Sequence, residues 1–123
     1  HAGGYDADGD AVEASTLAGF APAGGIHASI DDLVTFARAV IDGPLAGSPA
    51  QTDTLDLGNG SQMGYFWGVS STAGGTTVSH NGQTLGFTSA MHVVPEAGRA
   101  AIVLSNQSQL VDDVAATLLA HLR

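Results

Sequence analysis

Two stretches of the chain carry a helical period of apolar positions, and four carry the shorter period of strands. Leu33, Phe36, Ala37, Val40 and Ile41 recur at i, i+3, i+4, i+7 and i+8, which makes one apolar stripe on a helix. Ser29 followed by Asp32 is a capping box with Asp in place of the usual Glu, and Asp31 and Asp32 complement the positive end of the helix dipole. Gly43-Pro44 stops this helix. Near the end of the chain, Leu110, Val114, Leu118 and Leu122 stand four apart, flanked by Val111, Ala115 and Leu119. That pattern predicts an amphipathic helix with a wide apolar face, capped at Ser108 and carrying Asp112 and Asp113 early.

Between the helices, segments 65–70, 76–80, 86–94 and 100–105 are rich in β-branched and aromatic residues and separated by turn residues. Four strands in quick succession predict an antiparallel sheet, with Pro95-Glu96-Ala97-Gly98 turning the last two. Residues 4–12 read as a small hairpin about an Asp-Gly turn. Residues 45–62, rich in Gly, Ser, Thr, Pro and Asp without a sustained period, read as a surface loop. The expected class is α+β: a single unit over residues 1–123 in which an antiparallel sheet carries the C-terminal helix, and with it the first helix, across one face.

Composition then removes several functions. The 123 residues hold 12 acidic and 3 basic side chains, a formal net charge of −9. The basic residues are Arg38, Arg99 and Arg123, and no lysine occurs anywhere. Nucleic acid is excluded as an expected partner, since neutralising phosphates takes clustered cations. No apolar run is long enough to predict a membrane segment, and the opening His-Ala-Gly-Gly-Tyr-Asp has no signal-peptide pattern. A first residue other than Met is expected of a chain cut from a longer one. Without cysteine there are no disulfides, thiolate metal sites or cysteine nucleophiles, but the compartment stays open.

The metal readings are weak. From Asp6, the register of a calcium loop would place Gly at 11 and Glu at 17, where Ala11 and Leu17 stand, so Asp6, Asp8 and Asp10 read as a solvated turn. The five histidines, at 1, 27, 80, 92 and 121, form no short ligand pair, though His80 and His92 could meet across neighbouring strands. His121 in the last helical turn reads as a dipole-compensating residue. No metal and no cofactor is expected.

His80-Asn81-Gly82 supports two readings. Asn-Gly is the favoured pair of a two-residue hairpin turn after strand 76–80. Alternatively, a polar side chain at a strand end is followed by a glycine whose missing Cβ lets a ligand approach the backbone. The two are compatible.

The longer run His80-Asn81-Gly82-Gln83-Thr84-Leu85-Gly86-Phe87-Thr88-Ser89 resembles the His-x-Gly-x-x-x-Gly-aromatic-x-Ser signature of the serine β-lactamase-like family. That family includes penicillin-binding proteins, class C β-lactamases, D-aminopeptidases and related esterases. Flanking segments agree in order. Pro22-Ala23-Gly24-Gly25-Ile26 leading into Ser29-Ile30-Asp31-Asp32-Leu33-Val34-Thr35-Phe36 is similar to its Gly-Gly loop and following helix. Met63-Gly64-Tyr65-Phe66-Trp67-Gly68-Val69 is similar to its Tyr-Gly-x-Gly-Trp strand, with Phe66 in place of the usual small residue. Val94-Pro95-Glu96 and Ile102-Val103-Leu104-Ser105-Asn106 resemble the paired strands before its C-terminal helix. Read without the family, Gly24-Gly25 is a turn, Trp67 is core, and Asn106 caps a strand end.

The resemblance implies the C-terminal part of a catalytic domain that performs acyl transfer, a serine attacking an ester, amide or lactam carbonyl before water releases the acyl group. It gives His80 the place of the third motif, against the nucleophile or the substrate. It makes Gly82 the point where substrate lies along the strand, the Gln83 N–H an oxyanion-hole donor, and Asn81 and Gly86 substrate-binding positions. The implied partners are a small-molecule or peptide substrate and the missing N-terminal part, because the family's Ser-x-x-Lys and Tyr-x-Asn motifs do not occur here. Asn81 departs from the Lys-Thr-Gly form of the motif, which favours an ester or peptide over a β-lactam carboxylate. The alternative is a non-catalytic interaction module that docks a partner through its sheet face.

Overall fold

In the computed structural model, residues 2–13, 17–48, 53–58, 60–72 and 74–122 are described, and strands β1 (Gly4–Tyr5) and β2 (Ala11–Val12) open them. They are joined by the expected Asp-Gly turn, in which Asp6 Oδ1 accepts the main-chain N–H groups of both Asp8 and Asp10. The acidic triplet is thus an Asx-type turn in which the first aspartate braces the backbone.

After a 3-10 turn (Ala18–Phe20) and the single-turn helix α1 (Ala21–Gly24) comes α2 (Ile30–Ile41). Its capping box is complete. Ser29 Oγ accepts the Asp32 N–H, and Asp32 Oδ2 accepts the Ser29 N–H at 2.8 Å. These bonds to the ionised form hold the Asp32 carboxyl below its ordinary value, the Ser29 backbone N–H first and the Ser29 hydroxyl second.

A six-stranded antiparallel sheet follows: β3 (Leu55–Asp56), β4 (Gln62–Met63), β5 (Gly68–Thr72), β6 (Gly75–Thr84), β7 (Phe87–Val94) and β8 (Arg99–Ser105), each beside its sequence neighbour. The short pair β3–β4 extends the four expected strands, so the span 45–62 contains sheet as well as loop. Residues 49–52 and 59 of that span lie outside the described residues. Helix α3 (Asp112–His121) closes the chain.

The two long helices lie on opposite faces of the sheet, not on one. Side chains alternate across a strand, and the core on the α2 side contains Ala37, Val40, Trp67, Val69, Val78, Met91 and Val93. The partners displaced by one residue, Ala90 and His92 on β7 and Ala101 on β8, face α3 instead. α3 also turns differently from expectation. Ala115 is fully buried, whereas Leu110, Val114, Leu118 and Leu122 are 58, 50, 48 and 42% exposed. The small side chain lets the helix approach the sheet closely at Ala115, and the leucine stripe faces outward. Arg99 ties the end of α3 down, its Nη1 donating to Leu122 O at 2.6 Å.

Ser108 does not cap this helix, whose N-cap is Val111 with no side-chain bond. Ser108 Oγ accepts the Gly86 N–H at 2.8 Å instead, and the buried Thr88 hydroxyl reaches Gln107 O and Gln109 O. The 106–109 segment is therefore strapped to the β6–β7 hairpin. Strand β1 docks on it in turn, with Tyr5 N–H donating to Asn106 O and Asn106 Nδ2 to Gly3 O.

Candidate active site

Asn81-Gly82 is not a turn. β6 runs through it, paired with β7 continuously from Val78↔Val93 to Thr84↔Phe87, and the chain reverses at Leu85-Gly86. Gly86 supplies the bend with φ +78. The β-branched and aromatic residues of a long ladder outweigh the local preference of Asn-Gly.

The register divides the motif between two faces. His80 pairs with Met91, a member of the α2-side core, so the imidazole stands on that face at the rim of the core, exposed. Among the described residues it has no hydrogen-bond partner, which leaves both the donor and the acceptor nitrogen of the ring for an incoming group. His92 pairs with Ser79 and lies on the opposite face, so His80 and His92 do not meet. Asn81 and Gln83 project toward α3: Asn81 Nδ2 donates to Asp112 Oδ1, and Gln83 Nε2 to Ser108 O, both at 2.8 Å. Their side chains are committed within the chain, and what they present to a ligand is main chain.

That main chain is open on one side. β5 meets β6 only from Thr72↔Gly75 to Gly68↔Ser79, and among the described residues no strand continues beside His80–Thr84. A two-residue turn makes Thr84↔Phe87 the hydrogen-bonded closing pair, and the alternation of an antiparallel ladder then directs the N–H and C=O of Asn81 and Gln83 away from β7, toward the open side. An edge of this kind receives an extended ligand by main-chain hydrogen bonds.

The two glycines of the motif differ. A Cβ on Gly82 would meet only Ser89 Oγ at 3.4 Å, an ordinary contact, so nothing among the described residues requires glycine there. A Cβ on Gly86 would strike Val12 and, at 2.8 Å, the Gly4 Cα. Gly86 is buried beneath β1 and β2, and its packing and positive φ account for it.

At one end of the open edge stands the β4–β5 turn, Gly64–Trp67, closed by a Gly64 N–H to Trp67 O bond of 2.8 Å. Trp67 is buried and stacks on Phe36 of α2, centroids 6.2 Å apart with 13° between the planes. At the other end, a Cβ on Gly24 of α1 would lie 3.3 Å from Leu17 Cδ1 and 3.8 Å from Thr84 Cγ2, which places α1 beside the last residue of β6. Sequence reasoning missed this frame because it arises from where β5 begins, at Gly68 opposite Ser79, which no local motif announces. Two surface hollows, one near Thr77, His92 and Leu119 and one near Ile41, Thr54 and Glu96, are not lined by His80.

A six-stranded antiparallel sheet with a helix on each face is consistent with an α+β fragment of the β-lactamase fold. The family model described as Beta-lactamase matches residues 1–123, and the chain belongs to that family. No curated protein and no solved structure matches it. No helix among the described residues is long and apolar enough to cross a membrane.

Proposed function

We propose that this chain is the C-terminal portion of a serine hydrolase and forms the substrate-binding wall of its acyl-transfer site. The observation that carries this reading is the open edge of β6 beside His80. Substrate lies along the edge, over Gly82, with the Gln83 N–H as one oxyanion donor and the imidazole of His80 bonded to the nucleophile's network or to the substrate. The serine attacks the carbonyl carbon, the alcohol or amine leaves with a proton, and water releases the acyl group. The nucleophile and its lysine come from polypeptide outside these 123 residues, since the sequence has no lysine. With Asn81 where a Lys-Thr-Gly motif has Thr, and no lysine before it, an ester or peptide suits the edge better than a β-lactam carboxylate.

The chain alone is therefore expected to be inactive. Incubation with p-nitrophenyl acetate and with a chromogenic β-lactam should give no turnover, and intact-mass analysis no covalent adduct. An acylated serine within the chain would refute the reading.

The outward stripe of Leu110, Val114, Leu118 and Leu122 favours a second reading, a non-catalytic interaction module. The surface such a module offers is this helical stripe, because both faces of the sheet carry helices. Sedimentation that shows association, abolished by Val114→Glu with Leu118→Glu, would support it; a monomer at all concentrations would not.

A further inference from the structure

The β4–β5 turn contains a residue whose conformation works against its type. Phe66 has φ +68, in the left-handed region that glycine enters freely and a bulky side chain enters at a cost of about 1 kcal/mol or more. Its ring does not recover that cost by packing, since Phe66 is 84% exposed and its neighbour Tyr65 64%. The turn itself is firmly mounted, by the Gly64–Trp67 bond and by Trp67 in the core. It stands at the end of β5 where the last pair is Gly68↔Ser79, next in register to His80. The other non-glycine residues with positive φ among those described, Leu17 and Ala18, lie at the opposite end of the same edge, where Leu17 and Thr84 both approach Gly24. Backbone strain thus brackets the open segment of β6, and strain held in this way is characteristic of ligand-clamping positions.

We propose that Phe66, with Tyr65 beside it, grips an aromatic or bulky apolar acyl group of a neutral ester or amide lying along β6. The proposal rests on the hydrolase reading above and adds the substrate class. A rigid turn presents the two rings to an apolar group with little ordering cost. The net charge of −9 on this chain works against anionic substrates, and two exposed rings with no carboxylate between them suit an uncharged apolar group.

The test uses the polypeptide that carries this chain together with its nucleophile segment. Phe66→Asn keeps a residue that tolerates the left-handed region and removes the ring, so the turn survives. For this variant kcat/KM for p-nitrophenyl phenylacetate should fall about 10-fold while that for p-nitrophenyl acetate stays within about 2-fold. An equal change for both esters, or none, overturns the proposal. Saturation-transfer NMR with phenylacetamide reads the grip without turnover: the phenyl protons should be saturated by the wild-type protein and not by Phe66→Asn, and saturation unchanged by the substitution overturns the proposal as well. If neither ester is hydrolysed, the hydrolase reading fails by itself, and the NMR comparison decides whether the rings bind an aryl group.

Discussion

Asn81 Nδ2 donates to Asp112 Oδ1 at 2.8 Å, joining the strand that carries His80 to the first turn of the helix on the other face. The side chain next to His80 is thereby a brace for the sheet. Asp112 Oδ2 is buried without a partner, so Asn81 provides the carboxylate's one described side-chain hydrogen bond. Asn81→Ala should destabilise the chain by about 1 kcal/mol in urea unfolding. Asn81→Asp should cost more at neutral pH, because it sets two carboxylates against each other. Equal stability of the two variants would contradict the brace.

Gly82 and Gly86 differ in the room above them, open at Gly82 and filled by β1 and β2 at Gly86. Gly86→Ala meets both a positive φ and the backbone of Gly4, and should cost about 3 kcal/mol. Gly82→Ala should leave the thermal midpoint within about 2 °C, since its Cβ has room. In the polypeptide that includes the nucleophile segment, the same methyl should lower kcat/KM sharply by standing where substrate lies. Melting curves together with ester hydrolysis check both halves.

The capping box of α2 gives a pH signature. The Asp32 carboxyl is held below its ordinary value of 3.8 in the folded chain, so the folded state favours the ionised form. Its contribution is fully present above the unfolded value and is lost as pH falls through the lowered folded one. The stability difference between wild type and Asp32→Asn should therefore be constant at neutral pH and shrink on acidification below about 4. Denaturant midpoints from pH 7 to pH 3 measure it, and a difference that grows with acid would contradict the assignment.

The capping box itself was legible from Ser29 and Asp32 alone, because a cap is a local device and its bonds span three residues. The apolar stripe of α2 was equally legible: Ala37 and Val40 are buried where the period put them, with Leu33 and Ile41 packed against the core. α3 was not. Its apolar residues cover much of the circumference, and the choice of inward face fell to Ala115, whose smallness matters only once the sheet beneath it exists. The motif at residue 80 is legible in sequence, but the Asn-Gly pair that favours a hairpin turn there lies within β6 and the chain reverses four residues later, since the register with β7 is a non-local property. The open edge beside it is set by where β5 begins, and the strain at Phe66 is visible in sequence only as a bulky residue at a position where a small one is usual.

In the proposed hydrolase the imidazole at position 80 works at the open edge of β6. Its most direct measurement is kcat/KM for an activated ester by the polypeptide bearing both the nucleophile segment and this chain, with His80 and with His80→Ala. The ring is exposed and has no hydrogen bond to lose among the described residues, so the substitution should leave the melting temperature nearly unchanged while kcat/KM falls about 100-fold. Hydrolysis that proceeds at the wild-type rate in the folded variant would contradict it.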